Sequence, residues 1–102
     1  MIFEALNEAL ARGELLLADG GMCHFHQRRD GVVTIREILV APDRRCQGIG
    51  RHLVDTAAQG LPCIARCPFD LPSNQFWAAI GFRLVDQSET KTGRKVNEWR
   101  RD

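Results

Sequence analysis

The sequence predicts an α+β domain, built on a mixed β-sheet, with its elements in the order α-β-β-β-α-β-α-β-β. Three observations lead to this prediction. Strand-like and helix-like periodicities alternate along the chain. An Asp30-Gly31 pair separates two strand-like segments, and each of the two later helical segments follows a strand. With 102 residues and no internal repeat, we expect one domain, residues 1–102.

The N-terminal half contains one predicted helix and three predicted strands. Apolar residues recur at helical spacing over residues 2–12, and Gly13 can end that helix. A short apolar run from Glu14 to Ala18 predicts the first strand. Met22–Arg29 and Val32–Val40 then predict a hairpin, whose second strand is rich in β-branched residues and therefore central.

The hairpin turn predicts which residues of its two strands face each other. Asp30-Gly31 suits a two-residue type I′ turn. Such a turn places Arg29 opposite Val32 and His24 opposite Glu37. Because directly opposed residues share a face of the sheet, His24 and Glu37 are expected to lie side by side.

The C-terminal half predicts two helices and three strands. The longer helix has an apolar stripe, and the shorter one has Ser73 as its N-cap and Gly81 at its end. The predicted elements are a helix over Ile49–Gln59, a strand over Cys63–Cys67, a short helix after Ser73, and strands over Phe82–Glu89 and Arg94–Arg100.

Composition and charge narrow the classes of function. A net charge of +1 and a pI near 7.7 argue against nucleic acid or a membrane surface as the main partner. No apolar run approaches the roughly 20 residues needed to cross a bilayer. The first residues are acidic where a signal peptide would be basic, so we expect a cytoplasmic protein.

The cysteines and histidines predict neither a disulfide nor a metal site. Cys63 and Cys67 share a face of one strand but are about 13 Å apart, which is too far for either. Cys23 and Cys46 stand alone in the sequence. His24 and His26 lie at i and i+2 without a third ligand at suitable spacing. We expect free thiols in a reducing compartment and no metal ion.

The segment from Val40 to Gly50 carries the strongest chemical signal. It leaves a strand, passes through a loop and enters a helix, whose first N–H groups have no helical partner. Gly48 and Gly50 carry no side chain that would keep a ligand from these donors, and Arg44 and Arg45 add positive charge. The segment therefore predicts a site for a pyrophosphate.

Loop composition alone does not identify the phosphate ligand. The Rossmann fingerprint requires a third glycine where this chain has Leu53. No Gly-Lys-Ser/Thr follows the loop, which argues against a nucleoside triphosphate.

Two segments resemble the motifs of one enzyme family. Arg45-x-x-Gly48-x-Gly50, preceded by Val40-x-Pro42, resembles the coenzyme A signature Arg/Gln-x-x-Gly-x-Gly/Ala of the GNAT superfamily of N-acetyltransferases. Asn74–Phe82 is similar to the later motif of that family, which has an Asn, an aromatic pair and a Gly-Phe ending. The motifs occur in the family's order, and the resemblance covers residues 32 to 82.

The resemblance implies a three-layer domain whose central strands splay apart to hold acetyl coenzyme A. The Val40 backbone would pair with the pantetheine amides, and a backbone N–H near Leu39 or Val40 would polarise the thioester carbonyl. Asn74 would touch the pantetheine arm, and Trp77 would lie beside the thiol. The residues implied in cofactor binding are Leu39, Val40, Arg44, Arg45, Cys46, Gln47, Gly48, Ile49, Gly50, Arg51, Asn74 and Trp77.

The catalytic residues are less well marked. Many family members protonate the leaving thiolate with a tyrosine, but this chain has none, and Trp77 stands in that place. A water molecule or Ser73 could deliver the proton instead. Glu37 is the candidate base, acting through water, and His24 could share that role. The alternative is that His24 and Glu37 form a cross-strand pair that only stabilises the sheet.

Three functions remain open at this point. The first is acetyl transfer from acetyl coenzyme A to the primary amine of an unknown small molecule or protein. The second is a coenzyme A-binding module without catalysis, and the third is a general anion-binding domain. Only 21 residues precede the hairpin, which predicts an open acceptor site, a pocket completed in a homodimer, or a macromolecular acceptor.

Overall fold

The computed structural model describes residues 2–102, with the side chains of all of these except residues 2, 3 and 6. Its element order and its α+β class are those that the sequence predicts. The elements are α1 (Ile2–Ala11), β1 (Leu15–Ala18), β2 (Gly21–Gln27), β3 (Val33–Val40), α2 (Ile49–Ala58), β4 (Cys63–Pro68), α3 (Ser73–Ala79), β5 (Arg83–Glu89) and β6 (Lys95–Arg101), with a 3₁₀ turn at Pro42–Arg44 before α2.

The strands form one six-stranded sheet in the order β1-β2-β3-β4-β6-β5. Only β3 and β4 run parallel, and α2 makes the crossover between them. The main core lies between α2, α3 and one face of the sheet, which we call the helix face. Its buried side chains are Cys23, Phe25, Val33, Ile35, Leu53, Val54, Ala57, Ala58, Cys63, Ala65, Cys67, Trp77, Ile80 and Phe82.

The turn between β2 and β3 is one residue longer than predicted. The Arg28 N–H donates a hydrogen bond to the Val32 carbonyl at 2.8 Å, so three residues rather than two form the loop. Gly31 adopts a φ of 89°, which suits the left-handed position of such a loop, and Asp30 accepts a hydrogen bond from the Val32 N–H at 3.0 Å. The type I′ turn, and with it the pairing of Arg29 with Val32, is therefore wrong.

A bulge further along the hairpin restores the predicted register. Phe25 pairs with Ile35, whereas His24 pairs with Glu37, so Arg36 is the extra residue of β3. The one-residue shift at the turn and the one-residue shift at the bulge cancel. His24 thus faces Glu37 as predicted, although the predicted turn that led to this pairing is wrong.

The two central strands separate as predicted. β3 and β4 pair only at Val33 with Cys63, Thr34 with Ile64 and Ile35 with Ala65. Both strands continue beyond these pairs, β3 to Val40 and β4 to Pro68, and the β3 edge facing β4 then has no strand partner. We call this opening the gap.

The start of α3 differs from the prediction. The helix begins at Ser73, and its N-cap is Pro72, with no side-chain capping hydrogen bond. Ser73 is therefore not the N-cap. Its hydroxyl instead lies 3.1 Å from the Cys67 sulfur at the end of β4. Proline suits this position because its ring fixes φ near the helical value and it needs no hydrogen-bond acceptor.

Among residues 2–102, no helix has the length and apolar character that crossing a membrane requires.

Candidate functional site

A cavity of about 840 Å³ opens on the helix face beside the gap. The end of β3, the loop after it, the first turn of α2 and one side of α3 enclose it. Its lining residues are Ile38, Leu39, Val40, Arg44, Arg45, Cys46, Gly48, Ile49, Gly50, Arg51, Leu71, Pro72, Ser73, Gln75, Phe76, Ala79 and Ile80. Its volume is in the range of pockets that take a small molecule or a cofactor.

Unpaired backbone donors line the loop side of this cavity. No N–H group of residues 45–51 donates a hydrogen bond to an acceptor in the described residues 2–102. The first backbone hydrogen bond of α2 runs from the His52 N–H to the Gly48 carbonyl at 3.0 Å. A helix of ten residues begins here, so its dipole adds positive character to these donors.

Three arginines extend the positive character around the loop. Arg44 is partly neutralised, because it forms an ion pair with Asp19 at 2.9 Å and a hydrogen bond to Gln47 at 3.2 Å. The Arg45 Nε donates to the Val40 carbonyl at 3.3 Å. Within the described chain Arg51 has no carboxylate partner, so the cavity mouth carries net positive charge.

The two glycines of the loop motif serve different purposes. Gly48 has a φ of 82°, and a Cβ there would meet no atom within 4 Å, so glycine relieves backbone strain and leaves its N–H accessible. A Cβ on Gly50 would lie 2.9 Å from the Phe76 ring. Gly50 therefore lets α2 pack closely against α3. Close packing is thus a reason for glycine at position 50 beside the ligand access predicted from the sequence, and both glycines line the cavity.

The edge of β3 at the gap offers further backbone groups. The Ala41 N–H bonds to the Gly20 carbonyl on the β2 side at 2.7 Å. Because alternate residues of a strand point their backbone groups to opposite edges, Val40 and Ile38 point theirs into the gap. On the sequence alone, Leu39 or Val40 is expected to present backbone groups to a ligand. Because of the bulge, Ile38 also directs its backbone groups into the gap.

Nine of the twelve residues implied in cofactor binding line the cavity. They are Leu39, Val40, Arg44, Arg45, Cys46, Gly48, Ile49, Gly50 and Arg51. Gln47 belongs to the same loop but lies outside the lining, with its side chain on Arg44.

Asn74 and Trp77 do not line the cavity. The Asn74 amide nitrogen donates to three backbone carbonyls, those of Pro68, Phe69 and Leu71, at 2.8–3.2 Å. Its oxygen accepts hydrogen bonds from Asn97 and Trp99. These five bonds occupy the side chain.

Trp77 is 4% exposed and packs edge-on against Phe76 and Phe82, with both ring centroids at 5.0 Å. The α3 residues that line the cavity instead are Ser73, Gln75, Phe76 and Ala79. A helical period starting at Ser73 would have grouped Ser73, Phe76 and Ala79, since residues three apart share a face.

The candidate catalytic pair lies on the other face of the sheet, which we call the open face. His24 and Glu37 are half-buried register partners, yet no hydrogen bond or ion pair joins their side chains. Neither lines the large cavity. Glu37 immediately precedes Ile38, so it stands beside the gap.

The thiols do not form a reactive cluster. All four cysteines are free, and Cys46 is the exposed one. Burial raises the pKa of Cys23 to about 12 and that of Cys63 to about 11, so both thiols stay neutral near pH 7. Among residues 2–102, no group of three or more His, Cys, Asp and Glu side chains could hold a metal ion.

Comparison with known families places this geometry in context. The family model described as "Acetyltransferase (GNAT) domain" matches residues 5–84. No curated protein matches the sequence.

Solved structures share the fold at low sequence identity. A GNAT-family protein from Desulfovibrio desulfuricans is similar with a TM-score of 0.77 and 20% identity, over 97% of this chain and 77% of that one. A Bacillus anthracis protein assigned as a streptothricin acetyltransferase, solved with acetyl coenzyme A, has a TM-score of 0.76 and 16% identity, over 93% of this chain and 67% of that one. A Bacillus subtilis acetyltransferase solved with coenzyme A has a TM-score of 0.70 and 16% identity, over 97% and 82%.

Proposed function

The chain belongs to the GNAT acetyltransferase family, and on that premise we propose that it transfers the acetyl group of acetyl coenzyme A to a primary amine. The observation that carries the proposal is the row of unpaired N–H groups over residues 45–51, which lines a cavity large enough for the cofactor. A related fold has been solved with acetyl coenzyme A, which supports the same ligand here.

The loop fits the diphosphate of the cofactor. Backbone donors at a helix N-terminus bind phosphate oxygens without a lysine side chain, and the Gly48 conformation keeps one of these donors open. Arg45 and Arg51 add charge that pairs with phosphate groups. When bound, acetyl coenzyme A supplies an acetyl group activated as a thioester.

The β3 edge fits the pantetheine arm. Ile38 and Val40 present an N–H and a carbonyl each to the gap, so they can pair with the arm's amides as a strand would. The Val40 carbonyl now accepts the Arg45 Nε at 3.3 Å. This carbonyl has a second lone pair, so it can still accept a hydrogen bond from a pantetheine amide, and the Arg45 guanidinium lies next to the diphosphate donors.

Two side chains are suited to moving protons. Glu37 stands beside the gap on the open face, where it can take a proton from the incoming ammonium through water. Ser73 lines the cavity on the opposite side of the gap, and its hydroxyl can pass a proton from water to the departing sulfur. Ser73, already a candidate from the sequence, lines the cavity, whereas the buried indole of Trp77 does not reach it.

The test measures cofactor binding before catalysis. Calorimetry with acetyl coenzyme A should give micromolar affinity, and thiol release with a panel of primary amines should then give turnover. Glu37→Gln should lower turnover by about 10²–10⁴-fold with cofactor affinity unchanged. Glu89→Gln, an exposed carboxylate on the edge strand β5, is the matched control and should leave both unchanged.

A second function remains in view because no tyrosine is available and Trp77 is buried. The chain would then bind coenzyme A without catalysis. Micromolar binding combined with no thiol release across the amine panel would favour this second function. Absence of binding would contradict both.

A further inference from the structure

A second cavity of about 430 Å³ lies on the open face of the sheet. Its lining residues are Arg28, Thr34, Ile35, Arg36, Ile64 and Arg66. Thr34 and Ile64 are register partners and form its floor. Neither belongs to the main core, because alternate residues of β3 and β4 face away from the helices.

The bulge of β3 creates the unusual part of this cavity. Thr34 and Arg36, before the bulge, have their side chains on the open face. After the bulge, Ile38 pairs with the buried Cys23 and faces the helices, so Glu37 and Leu39 on either side of it lie on the open face. Arg36 and Glu37 are therefore consecutive residues whose side chains lie on the same face. A regular strand would have sent one of them into the core.

The cavity lining carries three cations and no carboxylate. Arg28 is paired with Asp30 at 2.9 Å, and Arg66 is paired with Glu98 at 3.2 Å. Within the described chain, Arg36 has no hydrogen bond or ion pair from its side chain. The Arg36 guanidinium is thus left to attract an anion, and the exposed Arg66 is available by exchange with its half-buried partner Glu98.

The two cavities meet at the gap from opposite faces. Arg36 and Arg66 follow directly after the last β3–β4 pair, Ile35 with Ala65, so they flank the opening where the strands part. Ile38, two residues beyond Arg36, already lines the large cavity. Glu37 therefore stands between the anion-attracting cavity and the place where a thioester in the gap would lie.

We propose that the second cavity is the acceptor site and that it selects primary amines carrying a carboxylate, an inference that rests on the proposed acetyl transfer. The carboxylate would bind Arg36 and Arg66, and the ammonium would point to Glu37. Transfer forms the nitrogen–carbon bond and breaks the carbon–sulfur bond. The ammonium nitrogen loses two protons: one goes through Glu37 to solvent before attack, and the second, lost after the nitrogen–carbon bond forms, balances the proton that ends on the coenzyme thiol.

The experiment separates acceptor binding from catalysis. The unliganded protein is titrated with the ω-amino carboxylates from glycine to 6-aminohexanoate, and with the corresponding primary amides, while ¹H–¹⁵N spectra are recorded. One carboxylate of matching length should bind at least about tenfold more tightly than its amide, since a charge-assisted pair to a guanidinium replaces a neutral contact. The shifts should centre on Thr34, Arg36 and Arg66.

Variants identify the source of the selectivity. Arg36→Gln should lose most of the preference for the acid, and Arg36→Gln combined with Arg66→Gln should bind acid and amide equally. Arg94→Gln, which changes an exposed arginine of the β5–β6 turn, should keep the preference. All three substitutions are at the surface, and circular dichroism checks that each variant folds. Equal binding of acid and amide by the unmodified protein, or no binding of any member of the series, would overturn the proposal.

Two further outcomes distinguish this proposal from the one it rests on. If saturating coenzyme A displaces the amino acid, the second cavity belongs to the cofactor and the proposal is wrong. If the acid preference is present but no amine of the series is acetylated, the binding site stands and the transferase assignment fails.

Discussion

Substituting Gly48 tests the diphosphate site through charge alone. A Cβ at Gly48 meets no atom within 4 Å, so a side chain can start there without contact, and Gly48 itself lines the cavity. Gly48→Glu places a carboxylate near the cofactor's phosphates. Gly48→Gln has the same size and the same backbone strain, about 1–2 kcal/mol at a φ of 82°, but no charge.

The expected difference between these two variants is large. Each pair of unit charges about 5 Å apart, at an effective dielectric constant of about 40, repels by about 1.7 kcal/mol. For a diphosphate of two charges the sum is about 3 kcal/mol, or roughly a hundredfold in coenzyme A affinity. Calorimetry at about 50 and 500 mM salt should show the difference shrinking at high salt. Equal affinities of the two variants would refute a diphosphate beside Gly48.

Three further predictions concern packing and stability. Gly50→Ala should lower the free energy of unfolding, measured by urea titration, by about 1 kcal/mol, because crowding of the Phe76 ring exceeds the gain in helix propensity. Combining it with Phe76→Leu should recover the lost stability. A single variant more stable than the unmodified protein would contradict the contact. Asn74→Ala should cost about 2–4 kcal/mol, since it removes five hydrogen bonds and strands two partly buried donors; a loss below 1 kcal/mol would show that these bonds carry little stability. Burial raises the pKa of Cys23 to about 12 and that of Cys63 to about 11, so above about pH 9 unfolding is accompanied by deprotonation of these thiols. The free energy of unfolding should therefore fall with rising pH by about 1.4 kcal/mol per pH unit for each thiol. A variant with both cysteines replaced by alanine should show a flatter dependence on pH.

The fold was predictable because local signals agree with the sheet. Hydrophobic periodicity located the nine helices and strands of residues 2–102 in the correct order. The length of the turn between β2 and β3 was not predictable, because Asp30-Gly31 occurs both in two-residue turns and in three-residue loops ending on glycine. The bulge at Arg36 leaves no sequence signal of its own, yet it determines which face Glu37 occupies.

The passage from strand through loop to helix N-terminus over residues 40–50 was also predictable, because its signal is contained in consecutive residues. The α3 side of the cavity was not, because packing decides which helix face points inward. Trp77 contributes to the core with Phe82, so its neighbour Phe76 is the residue that faces the cavity. The Asn74 side chain makes five hydrogen bonds to partners that only the folded chain brings near. The cytoplasmic location and the homodimer stay predictions.

Amide resonances report most directly on the main-chain donors that the acetyltransferase assignment depends on. Adding coenzyme A to ¹⁵N-labelled protein should move the resonances of residues 45–51 downfield, and adding pantetheine, which lacks the phosphates, should leave them in place while Ile38 and Val40 shift. If coenzyme A leaves residues 45–51 unmoved, or if pantetheine moves them equally, the helix terminus does not bind the diphosphate.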